Sequence, residues 1–96
     1  MSAYLVAQIQ IENPEVYQQY ADGFRPTILP YEGEILAVDN EGEVLEGEWA
    51  LPRTVILKFP SIEQAKNWYH SSAYQELVKF RHQASKGNVI LVRGLQ

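Results

Sequence analysis

FPSIEQAKNWYHSSAYQ, residues 59–75, compresses a strand end, a helix start, a break and a second helix start into one short stretch. The apolar run Thr54 to Phe59 stops at Pro60. Ser61 stands three residues before Gln64, the spacing of a capping box, and Ala65, Trp68 and Tyr69 follow on one helical face. That helix is expected to run to about His70. Ser71 or Ser72 then caps another, on which Tyr74, Leu77, Val78 and Arg81 share a side.

Working outward, residues 4–11 (YLVAQIQI) alternate as a strand with one dry face, Leu5, Ala7, Ile9 and Ile11, and one mixed face, Tyr4, Val6, Gln8 and Gln10. Asn13 caps a helix that begins with Pro14, where the missing N–H costs nothing. Tyr17, Tyr20, Ala21, Phe24 and Ile28 form its buried stripe, and Pro26 is expected to kink or loosen its last third. Gly33 opens a second strand that reaches about Val38. Asp39 to Gly42 reads as a turn, with Glu43 to Trp49 as a short extended return. Lys86-Gly87-Asn88 is expected to end the last helix, and Val89 to Val92 to form the fourth strand. The order β-α-β-β-α-β over one domain, residues 1–96, predicts an α+β fold. Helices lie on one face of a four-stranded antiparallel sheet.

The other face of that sheet carries Val6 and Ile56 among Tyr4, Gln8, Gln10, Thr54 and Lys58. This is too apolar for a wetted face and too polar for an ordinary core. Pairing two copies across a two-fold axis resolves the mismatch, so a homodimer is expected. A formal net charge of −4 with scattered basic residues argues against nucleic acid. Zero cysteines exclude disulfide and thiolate chemistry. No apolar run approaches a membrane span, and no basic segment leads into an apolar one at the start; a cytoplasmic protein is expected.

Several segments together resemble the family of domain of unknown function 1330, a branch of the dimeric α/β barrel superfamily. They are YLVAQIQIENPEVYQQY (4–20), PTILPYEG (26–33), VLEG (44–47), FPS (59–61) and AKNWYHSSAYQ (65–75), with Arg81 and the closing strand with Gly94. The resemblance covers essentially the whole chain. It implies a ferredoxin-like fold whose sheets pair as a dimeric barrel. The superfamily includes cofactor-independent monooxygenases, lactone isomerases, dehydratases and haem-degrading enzymes, and this branch has no assigned activity. The chain departs from the pattern, which favours two glycines and a basic residue where Glu32-Gly33-Glu34 stands. A basic residue often occupies the position of Asp39, and an acid that of Arg93, so the charges on strands two and four are exchanged.

Arg81 is the leading candidate for a binding site. An inward guanidinium needs a carboxylate, from Glu46 in the VLEG segment or from a ligand. Tyr20, Tyr31, Trp68 and Tyr69 would supply apolar walls with polar tips, or simply fill the core. His70 and His82 titrate near neutrality but read as helix-break and surface residues, and two histidines without cysteine give no metal spacing. No metal or cofactor is expected. The glutamates from Glu32 to Glu48 read as a solvated hairpin. The residues therefore predict a dimer binding a small aromatic or carboxylated metabolite, with cofactor-independent acid/base or oxygenase-like chemistry. The competing reading is a non-catalytic dimeric scaffold with a filled cleft.

Overall fold

Residues 1–95 are described by the structure, a computed structural model. Strand β1 (Ala3–Ile11) leads into helix α1 (Pro14–Ile28), a 3-10 turn (Leu29–Tyr31) and strand β2 (Glu34–Asp39). Strand β3 (Arg53–Phe59), helices α2 (Ile62–Tyr69) and α3 (Ser72–Ala84) and strand β4 (Ser85–Arg93) follow. The strands lie in the order β2-β3-β1-β4, with every neighbouring pair antiparallel. The fold is α+β and ferredoxin-like, with the second helix broken in two.

Local chemistry accounts for the boundaries. Asn13 Oδ1 accepts from the Val16 N–H at 3.2 Å, and Ser61 Oγ from the Gln64 N–H at 3.1 Å. Ser71 is the cap of α3: its Oγ accepts from the Tyr74 N–H at 3.2 Å and donates to the Trp68 carbonyl at 2.7 Å, tying the two short helices together. Helix α1 passes through Pro26 and then tightens into the 3-10 turn. That turn closes at Glu32, which has φ 58° and whose N–H donates to the Leu29 carbonyl.

Two expected boundaries are corrected. Glu43 to Trp49 forms no strand; residues 40–52 are a loop in which 40–50 are all exposed. Helix α3 stops at Ala84, and Lys86-Gly87-Asn88 belong to β4. The reason is that the Ala84 carbonyl accepts from both Glu12 and Asn13 N–H (2.7 and 3.0 Å) and Ser85 Oγ donates to the Arg81 carbonyl, so the helix end is satisfied one turn before the glycine. Gly87 instead gives way to a side chain: a Cβ there would stand 3.1 Å from Arg81 Nη1.

The core lies between the helices and one face of the sheet. Leu5, Ala7, Ile9, Leu57 and Phe59 point into it from the strands, and Tyr17, Tyr20, Ile28, Ala65, Trp68, Tyr74 and Val78 from the helices. On the other face Val6 is flanked by Ile56 and Ile90, and no helix among the described residues covers them. Ile90 is 59% exposed. Glu34 and Asp39 on β2 and Arg93 on β4 occupy opposite edge strands, so these exchanged charges do not meet within one chain.

Candidate functional site

The cleft between the sheet and helices α1 and α3 is floored by Leu5, Ala7, Ile9, Val55 and Leu57 and has a volume of about 140 Å³. Ala7 lies between Val55 and Val89 in the register, and its small side chain leaves space where the helices cross the sheet. An apolar cavity of about 150 Å³ holds benzene, so a single ring fits. The walls are aromatic. Trp68 and Tyr74 have ring centroids 4.0 Å apart, Tyr69 and Tyr74 5.5 Å, and Phe24 and Trp68 5.9 Å. Trp68 is oriented by its indole N–H, which donates to Thr27 Oγ1 at 3.0 Å, and Thr27 in turn donates to the Phe24 carbonyl.

A polar group sits among these rings. The Tyr20 and Tyr74 hydroxyls are 2.8 Å apart and bonded to one another. The Arg81 guanidinium lies 5.8 Å from the Tyr20 ring centre and is 5% exposed. Burial pushes the Tyr20 phenol far above the ordinary tyrosine range, Tyr74 adds to this, and Arg81 opposes it. Burial likewise raises Tyr74 against the pull of Arg81. For Arg81 itself burial works to lower the pKa, but the Tyr74 and Tyr20 oxygens outweigh it and the net direction is up. Both phenols therefore stay protonated at neutral pH and serve as hydrogen-bond donors, and Arg81 is a fixed cation.

Tyr20, Trp68, Tyr69 and Arg81 come together in the cleft, as the helical spacings suggest. Tyr31 does not line it; it packs half-buried against the core from the 3-10 turn. Glu46 does not reach Arg81, which corrects the expected ion pair. Among the described residues the ion pairs are Lys79–Glu76 and Lys86–Glu12, both exposed, while Glu46 is exposed in the loop. Without a strand at 43–49 there is nothing to carry Glu46 over the sheet. His70 and His82 are exposed, and the His70 N–H closes α2 on the Lys66 carbonyl. Among the described residues no cluster of His, Cys, Asp or Glu could hold a metal ion.

Tyr17, Tyr74 and Arg53 also line the cleft and were not picked out from sequence. The signal for Tyr74 was present, since it lies seven residues before Arg81 on one stripe. For Arg53 the signal was alternation: Leu57, Val55 and Arg53 point to one side of β3, and the last of these is charged.

The sequence model described as Domain of unknown function (DUF1330) matches residues 2–95. No curated protein matches the chain. Among solved structures, a protein of unknown function from Rhodopseudomonas palustris superposes with a TM-score of 0.80 at 17% identity, covering 99% of this chain and 83% of that one. SnoaB, a cofactor-independent oxygenase from Streptomyces nogalater, gives 0.65 at 8% identity, covering 99% and 94%. A dimeric protein of unknown function and ferredoxin-like fold from Bacteroides fragilis gives 0.64 at 7%, covering 97% and 96%. At these identities the likeness is one of fold. No helix among the described residues is long and apolar enough to cross a membrane.

Proposed function

The chain belongs to the DUF1330 family, and we propose that it is a homodimer that binds a small, partly aromatic, carboxylated metabolite in the cleft beneath α1 and α3. Cofactor-independent acid/base or oxygenase-like chemistry on that ligand completes the reading, in a cytoplasmic setting with which the absence of cysteine agrees.

The observation that carries the proposal is Arg81. It is a buried cation in an apolar cleft, in no ion pair among the described residues, and a buried charge without a counter-charge is costly. A ligand carboxylate is the missing partner, and Trp68, Tyr69 and Phe24 provide the wall for a ring. The phenol pair extends the chemistry. One of the two hydroxyl protons serves the bond between Tyr20 and Tyr74, and the other is free to make a hydrogen bond to a ligand oxygen. An oxygen that gains negative charge beside them would meet a hydrogen-bond donor and a guanidinium already in place. SnoaB shares the fold and is a cofactor-independent oxygenase, which is compatible with this chemistry without assigning it. The open cleft speaks against the scaffold reading, which calls for a filled one. The homodimer is supported by the uncovered apolar face and by the dimeric Bacteroides fragilis neighbour.

Trp49→Phe leaves Trp68 as the only indole, so its fluorescence reports on the cleft. Benzoate is expected to quench it saturably and benzyl alcohol to do so more weakly. Arg81→Met should weaken benzoate by roughly 10- to 150-fold, the equivalent of a hydrogen-bonded charge, without lowering the melting temperature. Benzoate binding that survives Arg81→Met undiminished would defeat the proposal.

A further inference from the structure

Arg53 stands outside that reading, and one of its donors, the Nε, is left without a structural partner. Its Nη1 donates to Asn40 Oδ1 at 2.8 Å and its Cζ lies 5.5 Å from the Tyr17 ring centre. Its Nε is buried with no hydrogen-bond partner. A buried donor left unsatisfied is destabilising, and here it belongs to a side chain that lines the cleft. Arg53 is in no ion pair among the described residues.

The register places the two arginines on either side of one residue. Ile9 pairs with Arg53 on β3 and with Gly87 on β4, and Arg81 Nη1 lies against Gly87. Two strand spacings separate those backbones, roughly 10 Å, with the apolar floor between them. Each guanidinium is steadied by its own tyrosine ring, Tyr17 for Arg53 and Tyr20 for Arg81. A single carboxylate satisfies one of them and leaves the other as it was.

We infer that the cleft takes a ligand with two anionic oxygen groups on a single-ring or short apolar body, a small dicarboxylate. One group is held on the side of Arg81, Tyr20 and Tyr74, and the other by the Nε of Arg53. This rests on the reading that the cleft binds a carboxylated small molecule, and it adds the second anionic group and the residue that selects it.

Calorimetric titration with benzoate and with benzene-1,2-, -1,3- and -1,4-dicarboxylate tests it. At least one dicarboxylate should bind tenfold or more tighter than benzoate. In Arg53→Gln that isomer should bind no tighter than benzoate does to the same variant. Arg53→Lys keeps the charge but has no Nε donor, and serves if the glutamine variant does not fold; it too should lose most of the gain. Benzoate binding with no dicarboxylate gain, or a gain that survives both substitutions, overturns the inference and leaves Arg81 in its role. Failure of the wild-type chain to bind any of the four overturns both.

Discussion

Ile56 and Leu57 are neighbours on β3 and point to opposite sides of the same sheet. Leu57 is 1% exposed under the helices; Ile56 faces outward beside Val6, with Ile90 beyond it. The helix-covered side is apolar but holds charges that no ion pair among the described residues neutralises. The outer side has the reverse defect, with apolar side chains that no other element among the described residues covers. A ligand of opposite charge answers the first, and a second copy of the same surface answers the second. The two deficits are of different kinds, so substitutions on the two faces should fail in different ways.

The largest expected effect separates them directly. In the proposed dimer, Ile56→Asp places a carboxylate in the interface twice, once from each copy. At several kcal/mol for each unpaired buried charge, the dissociation constant should rise by at least a thousandfold. Leu57→Ala removes comparable apolar surface from the core and should cost about 2–5 kcal/mol of stability without changing the association state. Sedimentation and urea titration of the pair give the two readouts. A dimer that persists in Ile56→Asp, or a monomeric wild-type chain at high micromolar concentration, breaks the contrast.

The same two faces explain what could be read in advance. Alternation in residues 4–11 and helical spacing from Tyr17 to Ile28 and from Tyr74 to Arg81 put most of the right residues inside, because burial is periodic and side-chain direction follows the backbone; Ala21 is the exception, on the expected stripe of α1 but exposed. Long-range partners carry no such period. No spacing therefore tests a pairing of Arg81 with Glu46, which lies in the exposed loop, and none points to the phenol pair of Tyr20 and Tyr74, separated by most of the chain. Gly87 misled for a similar reason. A glycine after a helix suggests a cap, whereas this one makes way for a side chain arriving from α3.

A second prediction probes the covered face through pH. Tyr20 and Tyr74 hold their protons more tightly when folded, because burial disfavours the phenolate. An unfolded tyrosine titrates near ~10. Below that pH both states are protonated and the contribution to stability is complete. Above it the unfolded chain releases protons that the folded chain retains, so stability falls as pH rises. The loss is about 1.4 kcal/mol per pH unit for each phenol that stays protonated. Urea melts between pH 9 and 11 should show a decline that Tyr20→Phe makes shallower by up to that amount. An identical decline in both proteins would show that the pair is not buried as described. Ile56→Ala, on the other face, should leave the slope of the monomer unchanged.

The smallest expected effect lies at Glu32, next to Gly33 between the 3-10 turn and β2. Glycine suits the two positions for different reasons. Glu32 has φ 58°, the left-handed region in which a side chain crowds its own carbonyl. Gly33 needs space instead: a Cβ there would stand 2.8 Å from Phe59 Cε1 and 2.9 Å from Ile28 Cβ. Gly33→Ala should therefore cost about 1–3 kcal/mol, since both neighbours are packed core side chains with little room to give. Glu32→Gly relieves the backbone but adds freedom to the unfolded chain, which takes back part of the gain. The net should be a stabilisation of about 0.5–1 kcal/mol, read as a rise of roughly 2–8 °C in melting temperature. Glu32 is exposed and lines no part of the cleft, so benzoate affinity should not move with it. A fall in melting temperature would mean that the glutamate side chain supplies a contact worth more than the strain it carries.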